Sequence, residues 1–343
     1  MLYSNLIRPL LFKLPAETAH DITIRQLELL QNSYMGRGLI KLLSGHVESN
    51  PVQVMGLNFR HPVGLAAGLD KDAKVIRGLF QMGFSHIEVG TLTPKSQPGN
   101  DKPRLFRLKE DDALINRMGF NNEGSIAASR RLKKRDPNWG VVGGNVGRNK
   151  ITNNENAIDD YIAAMSHLRD YVDYFTVNIS SPNTPGLREL QQEEVLKNLL
   201  TKISDDNSKS LKPRPLAVKI SPDLSKQKVQ SISRLAVTCG FNGIIGTNTT
   251  VNRTGLKTKA NRIKDAGSGG LSGRPLTRHS TDVVAWIKEA VGDSAAVIGV
   301  GGVFNAQDVI DKRNAGADLV QIYTGFVYNG PSMINNIQEA WIK

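Results

Sequence analysis

Apolar residues follow two rhythms along this chain, and the change comes near residue 45. Before it they recur at helical spacing. Leu6, Leu10 and Leu14, flanked by Tyr3, Ile7 and Leu11, form a stripe, with Arg8 and Lys13 off it. Pro9 must kink this helix or begin its regular part, because proline has no N–H for the preceding turn. Pro15-Ala16-Glu17 opens a second helix carrying Ala19, Ile22, Leu27 and Leu30. Gly36-Arg37-Gly38 breaks it, and Leu39 to Leu43 makes a short third helix. A module of apolar stripes with basic flanks either caps the rest of the chain or lies in a membrane interface. Periodicity alone favours the cap.

Beyond residue 45 the rhythm shortens. Val52 to Phe59 reads as a hairpin turning at Met55-Gly56-Leu57. Eight apolar runs then alternate with helix-length segments: Val63 to Ala66, His86 to Val89, Val141 to Gly143, Phe175 to Val177, Leu216 to Lys219, Gly243 to Ile245, Ala296 to Ile298 and Leu319 to Ile322. Eight β/α alternations in about 280 residues predict a (β/α)8 TIM barrel. No G-x-G-x-x-G opens the first unit, which argues against a doubly wound nucleotide-binding sheet. Arg104 to Leu108 and Ala113 to Asn116 predict an extra hairpin after the second strand. The chain thus divides into a helical module, residues 1–45, and a barrel, residues 46–343.

Composition narrows the partners. The net charge is +12, but the bases are dispersed, and the densest run, Arg130 to Arg135, reads as a solvated helix face. An anionic small ligand and a membrane surface therefore rank above nucleic acid, and no obligate protein partner is inferred. Cys239 is the only cysteine, which excludes an intrachain disulfide and a cysteine-based zinc or iron–sulfur site. His20, His46, His61, His86, His167 and His279 are scattered without ligand spacing, so no metal is expected. No stretch approaches the roughly 20 apolar residues of a membrane span, and the first residues lack signal-peptide features.

In such a barrel the carboxyl ends of the strands converge on one site. The first ends in Ala67-Gly68-Leu69-Asp70-Lys71, the second in Gly90-Thr91 and the third in Asn145. The fourth ends in Asn178-Ile179-Ser180-Ser181-Pro182-Asn183, the fifth in Lys219 and the sixth in Thr247-Asn248-Thr249. The seventh ends in Gly299-Val300-Gly301-Gly302 and the eighth in Tyr323-Thr324-Gly325. The inserted hairpin adds Asn116-Arg117-Met118-Gly119-Phe120-Asn121. Any one of these tips alone is an ordinary polar turn; their agreement makes a site. The glycines, with Gly269-Gly270-Leu271-Ser272-Gly273, suit a phosphate cradle and imply a phosphorylated cofactor. Asn116, Asn178, Asn183 and Asn248 each donate and accept, which suits a planar ligand edged with carbonyl and N–H groups, such as a pyrimidine. Lys71 and Lys219 supply positive charge for an anionic substrate and an anionic reduced cofactor.

At this point a family is recognisable. Ala66 to Lys71, Gly99-Asn100-Asp101-Lys102-Pro103-Arg104, Asn116 to Asn121, Asn178 to Thr184 and Gly269 to Pro275 closely resemble the dihydroorotate dehydrogenase family, in its membrane-associated, quinone-linked class (class 2). The resemblance covers nearly the whole chain. It implies FMN in the barrel, oxidation of (S)-dihydroorotate to orotate in de novo pyrimidine (UMP) biosynthesis, and a membrane quinone as final acceptor. It also implies a peripheral protein on the cytoplasmic face of the inner membrane. By family analogy Ser181 is the catalytic base for the C5 proton while the C6 hydride goes to flavin N5. The soluble class 1 enzymes carry Cys there, and Cys239 lies elsewhere, as a packing residue. Lys71, Asn116, Arg117, Met118, Gly119, Phe120, Asn178, Asn183, Asn248 and Thr249 would hold the substrate. Ala67, Gly68, Leu69, Asp70, Lys71, Thr91, Asn145, Asn178, Lys219, Thr247, Gly273, Gly302, Tyr323 and Thr324 would hold FMN. A serine hydroxyl is a weak base, so Thr184 and a water beside Phe120 would relay its proton. The helical module would form the quinone entrance, with His20, Arg107 and Tyr323 along the path. Two other readings stand beside this one. A tRNA-modifying flavoenzyme would suit the charge but needs a catalytic Cys; a non-enzymatic flavoprotein would bind FMN and leave it oxidised.

Overall fold

Each of the eight predicted runs becomes a strand, because its apolar residues are covered by helices outside and by other strands' side chains inside. A computed structural model describes residues 2–45 and 47–342, so His46 lies outside the described residues. In chain order the strands are β1 (Val52–Val54), β2 (Leu57–Phe59), β3 (Val63–Leu65), β4 (His86–Leu92), β5 (Leu105–Leu108), β6 (Ala113–Asn116), β7 (Val141–Val146), β8 (Tyr174–Asn178), β9 (Leu216–Ile220), β10 (Gly243–Gly246), β11 (Gly270–Gly273), β12 (Ala296–Val300) and β13 (Leu319–Ile322). The helices are α1 (Arg8–Leu11), α2 (Ala16–Asn32), α3 (Tyr34–Ser44), α4 (Ile76–Gln81), α5 (Ser125–Leu132), α6 (Ala157–Leu168), α7 (Glu193–Ser208), α8 (Lys226–Thr238), α9 (Ala260–Ala266), α10 (Thr277–Val291), α11 (Ala306–Asn314), α12 (Thr324–Asn329) and α13 (Met333–Ile342).

Strands β3, β4, β7, β8, β9, β10, β12 and β13 pair in parallel, and β13 closes onto β3. The β1–β2 hairpin turns through Met55 and Gly56, both at positive φ. It plugs the amino end of the barrel: Phe59 stacks edge-on against His86, 5.2 Å between ring centres. The inserted hairpin forms as β5 and β6. The glycine loop from Gly269 differs from its sequence reading: its residues Gly270–Gly273 are strand β11, antiparallel to β6. The three strands make a separate sheet beside the carboxyl end of the barrel. Strands β4 and β7 also run further than their apolar cores, through Thr91 and Asn145, because those polar side chains bond to each other inside the barrel.

The first 45 residues are helical; of the two readings of Pro9 the second holds, and two other features depart from expectation. Pro9 begins the regular part: Tyr3–Ile7 is wound as a wider π-type turn, and α1 carries Pro9 in its first turn. The stripe divides, since the Tyr3 hydroxyl donates to the Val327 carbonyl at 2.6 Å while Leu6, Leu10 and Leu14 stay exposed. The second helix breaks at Ser33, not at Gly36-Arg37-Gly38. Ser33 Oγ accepts from the Gly36 N–H at 2.9 Å and caps α3. Gly36 is needed there for closeness, as a Cβ would stand 2.3 Å from the Leu30 carbonyl oxygen.

The helices dock on the barrel through polar clamps. Glu17 of α2 takes a forked pair of bonds from Arg104, Nε at 3.1 Å and Nη2 at 2.9 Å, and Lys102 adds its charge at 3.3 Å. Arg104 also donates to the carbonyls of Pro98 and Asn100. Arg8 donates to the Tyr328 carbonyl at 3.0 Å. Elsewhere, the run from Arg130 is only partly solvated. Arg131 holds the Asp72 carbonyl and Arg135 pairs with Asp173 at 2.7 Å, while Arg130, Lys133 and Lys134 face solvent. Cys239 packs against the core, 3.5 Å from Thr201 Oγ1.

Candidate active site

The carboxyl ends of the barrel strands surround one large cavity, with β5, β6 and β11 contributing a wall. Its space is about 1170 Å3 counting the open mouth. The wall carries Ala67, Gly68, Lys71, Thr91, Asn116, Met118, Gly119, Phe120, Asn178, Ser181, Asn183, Lys219, Thr247, Asn248, Thr249, Gly273, Gly302, Tyr323 and Thr324. So most of the residues singled out from the sequence meet in one place.

Four of the residues read as holding substrate or cofactor do not line the cavity, nor do Arg107 and His20 of the quinone path. Leu69 packs into the core. Asp70 turns away and accepts from the backbone N–H groups of Lys74 and Val75, both at 2.8 Å, ahead of α4. Arg117 lies over the Phe106 ring, 4.8 Å away, and donates to the carbonyls of Ala266 and Pro103. A run of adjacent residues in a loop cannot all face one way, so a motif overcounts its wall. Asn145 lies a layer deeper, fully buried. Arg107 instead grips the module, donating to the carbonyls of Leu11 and Leu14 with its guanidinium 4.6 Å from the Phe12 ring centre.

The amides form two hydrogen-bonded groups. Asn183 Nδ2 donates to Asn116 Oδ1 at 3.1 Å. Asn248 Nδ2 donates to Ser180 Oγ at 3.0 Å and to Asn178 Oδ1 at 3.3 Å. Ser181 is buried in the loop after β8, and its Oγ accepts from the Asn183 N–H at 3.2 Å. Thr184 Oγ1, in the same loop, is buried with no hydrogen-bond partner among the described residues. Arg188 fixes the loop through the carbonyls of Ser180 and Thr249.

Two lysines set the electrostatics. Burial pushes the Lys71 ammonium down to about 8, against the pull of Asp72, Asp21 and Glu17. Lys71 Nζ stands 3.4 Å from His20 Nε2, and burial holds that imidazole well below its ordinary value, so it accepts the bond as the neutral ring. Burial also lowers Lys219, while Glu88 favours its charged form. The Tyr323 hydroxyl is pushed up to about 12 by burial and remains a donor, 3.5 Å from the Gly68 carbonyl.

Sequence reading passed over Leu105, Leu114 and Gln321, which also line the cavity; Asn121 and Ser272, read as part of the site, line it too. The alternation inside β5, β6 and β13 could have flagged Leu105, Leu114 and Gln321. Glu88 was visible as a lone carboxylate in the apolar run of β4.

The chain's own groups fit a phosphorylated flavin. A Cβ on Gly302 would stand 2.3 Å from Thr277 backbone, and one on Gly325 would stand 2.0 Å from the Val303 carbonyl. Only bare backbone fits at that wall. Lys219 brings a buried cation with no hydrogen-bond partner among the described residues, suited to offset an anion. Among the described residues no group of His, Cys, Asp or Glu could hold a metal ion.

Fold and cavity together define a cofactor-dependent (β/α)8-barrel enzyme. The sequence pattern of the family described as dihydroorotate dehydrogenase matches residues 50–342. A protein of Christiangramia forsetii named dihydroorotate dehydrogenase (quinone) is 47% identical, over 100% of this chain and 99% of its own. One of Myxococcus xanthus with the same name is 48% identical, over 97% of this chain and 91% of its own. Among solved structures, ligand-free DHODH of Eimeria tenella superposes with a TM-score of 0.81 at 35% identity, covering 90% of this chain and 93% of that one. The same organism's DHODH in complex with ferulenol gives 0.79 at 34% identity, covering 90% of each. This chain belongs to the dihydroorotate dehydrogenase family.

Proposed function

We infer that this protein oxidises dihydroorotate to orotate in pyrimidine biosynthesis and passes the electrons to a quinone. The observation that carries the reading is the amide array of Asn116, Asn178, Asn183 and Asn248 beside Lys71 and Ser181 in one cavity. The cofactor is FMN. Gly273, Gly302, Tyr323 and Thr324 would hold its phosphate end, and Lys219 would offset negative charge on it. When bound, FMN supplies a two-electron acceptor for the hydride that leaves the substrate.

The chain's residues do the rest. The amides orient the ring and Lys71 meets the carboxylate. Ser181 Oγ takes the C5 proton as it gives up its own, which would pass through the unpartnered Thr184 Oγ1 and a water beside Phe120 to solvent. Orotate formed from dihydroorotate with a short-chain quinone, by protein releasing one FMN per chain, would establish the reading. Absence of orotate from flavin-loaded protein would exclude it.

The Lys71 shift adds a pH effect. Below about pH 8 the free enzyme holds Lys71 as the cation, and above it as the neutral amine. The kcat/KM for dihydroorotate, which reports the free enzyme, should therefore fall above about pH 8. Lys71→Gln should lower kcat/KM and abolish that falling limb. An unchanged limb in the variant would assign it to another group.

Residues 1–45 form the membrane and quinone-entrance module. Of the fifteen exposed large hydrophobic residues among those described, ten lie here, with Tyr34 and Met35 more than four-fifths exposed. Helices with such faces lie in the lipid interface. Among the described residues no helix is long and apolar enough to cross a membrane. The protein is peripheral, on the cytoplasmic face of the inner membrane. His20, Arg107 and Tyr323 mark the route inward: Arg107 fixes the turn after α1, His20 touches Lys71 and Tyr323 lines the cavity.

A further inference from the structure

Inside the barrel, below the amide array, Glu88 of β4 is fully buried. Four neutral donors converge on it. Gln321 Nε2 stands at 2.8 Å, Thr176 Oγ1 at 3.1 Å and Tyr174 Oη at 3.2 Å from Oε1, and Asn145 Nδ2 stands at 3.0 Å from Oε2. Glu88 is the acceptor in all four bonds, which fixes their direction. Asn145 must give its NH2 group to Glu88, which turns its Oδ1 the other way. That oxygen accepts from Thr91 Oγ1 at 2.6 Å and from Asn178 Nδ2 at 3.3 Å. With its proton committed to Asn145, Thr91 Oγ1 accepts from Asn178 Nδ2 at 2.9 Å. With its NH2 committed, Asn178 offers Oδ1 to Asn248 Nδ2 and to Ser180. The donors thus run one way, from Asn248 through Asn178, Thr91 and Asn145 to Glu88. Thr91, Asn178 and Asn248 face the cavity, while Asn145 and Glu88 do not.

We propose that Glu88 is a positioning residue that sets which edge, donor or acceptor, each cavity amide presents to the bound pyrimidine. This rests on reading the cavity as the dihydroorotate site. Glu88 does not line the cavity; it acts on the amides through Asn145 and Thr91, and it also holds the cavity residue Gln321 and favours the charged form of Lys219. A carboxylate at the sink of a hydrogen-bond chain polarises every member. Replacing it by the isosteric amide puts an NH2 group against Asn145 Nδ2, because the other oxygen already receives three donors. Asn145 must then reverse, and the reversal passes to Thr91 and Asn178.

The test is orotate binding to flavin-loaded protein, followed by the change in flavin absorbance rather than by turnover. Glu88→Gln should keep the fold and its flavin but bind orotate at least about tenfold more weakly, equivalent to about 1.4 kcal/mol. Its KM should rise more than its kcat falls. The double variant Glu88→Gln with Asn145→Asp moves the carboxylate one step along the chain. There it can accept from the new amide on one side and from Thr91 and Asn178 on the other, so orotate affinity should recover. Asn145→Asp alone sets two carboxylates against each other and should bind poorly. If Glu88→Gln does not fold, the double variant must still bind orotate better than Asn145→Asp. Wild-type affinity in Glu88→Gln, or a double variant no better than the single ones, overturns the proposal. Wild-type protein that binds no orotate overturns the functional reading, and this inference with it.

Discussion

Ser181→Ala should slow reduction of the bound flavin by dihydroorotate by about 10²–10⁴-fold, the usual worth of a positioned base. Orotate binding should be largely retained. The rate falls because no other group stands ready in its place. The loop after β8 presents Ser181 Oγ in the cavity, with one lone pair occupied by the Asn183 N–H. A hydroxyl is a weak base, so it needs somewhere to send its own proton. Thr184 Oγ1, buried without a hydrogen-bond partner among the described residues, would relay that proton by passing its own to a water beside Phe120. Binding survives because the Asn183–Asn116 side-chain bond and the bonds of Asn248 to Asn178 and Ser180 do not involve Ser181 Oγ, which takes only the Asn183 backbone N–H. The wild-type single-turnover rate should rise with pH, as loss of the hydroxyl proton becomes easier. Single-turnover reduction at the wild-type rate in the variant would remove Ser181 from the role.

Deleting residues 1–45 should leave dihydroorotate-driven flavin reduction measurable while turnover with a long-chain quinone in liposomes collapses. The cavity wall comes entirely from residues 66–325, so the cavity remains without the module, although Lys71 loses its bond to His20 and the charges of Glu17 and Asp21. On the proposed membrane role the second half-reaction would draw its acceptor from lipid, with the exposed apolar side chains of the module as the contact. Truncation also uncovers barrel surface now under Leu27 and Tyr3 and frees Arg104 from Glu17. Detergent and a check of folding are therefore part of the measurement. Replacing Leu6, Leu10 and Leu14 together by glutamate should produce the same loss with the clamps intact. Folded, truncated protein that reduces long-chain quinone at the full-length rate would contradict the entrance role.

The barrel was legible because parallel strands covered on both faces read as continuous apolar runs. The cavity was legible because polar residues cluster where those runs stop. Other features lay beyond local pattern. Strand β11 is Gly270-Leu271-Ser272-Gly273, with little strand propensity, and it exists through pairing with β6, more than 150 residues earlier. The helix break near residue 33 came from a side-chain cap outweighing two glycines. Arg117 sits in a motif whose neighbours face the cavity, yet carbonyls from Ala266 and Pro103 draw it outward. Glu88 was plain to see, but its meaning depends on donors supplied by β7, β8 and β13.

The most direct test of the account is sequential mixing of the full-length, flavin-loaded protein without oxygen. Dihydroorotate should bleach the flavin absorbance and release orotate, and a quinone added second should restore the absorbance in full. Flavin that remains oxidised with dihydroorotate, or that once bleached is not restored by quinone, would contradict it.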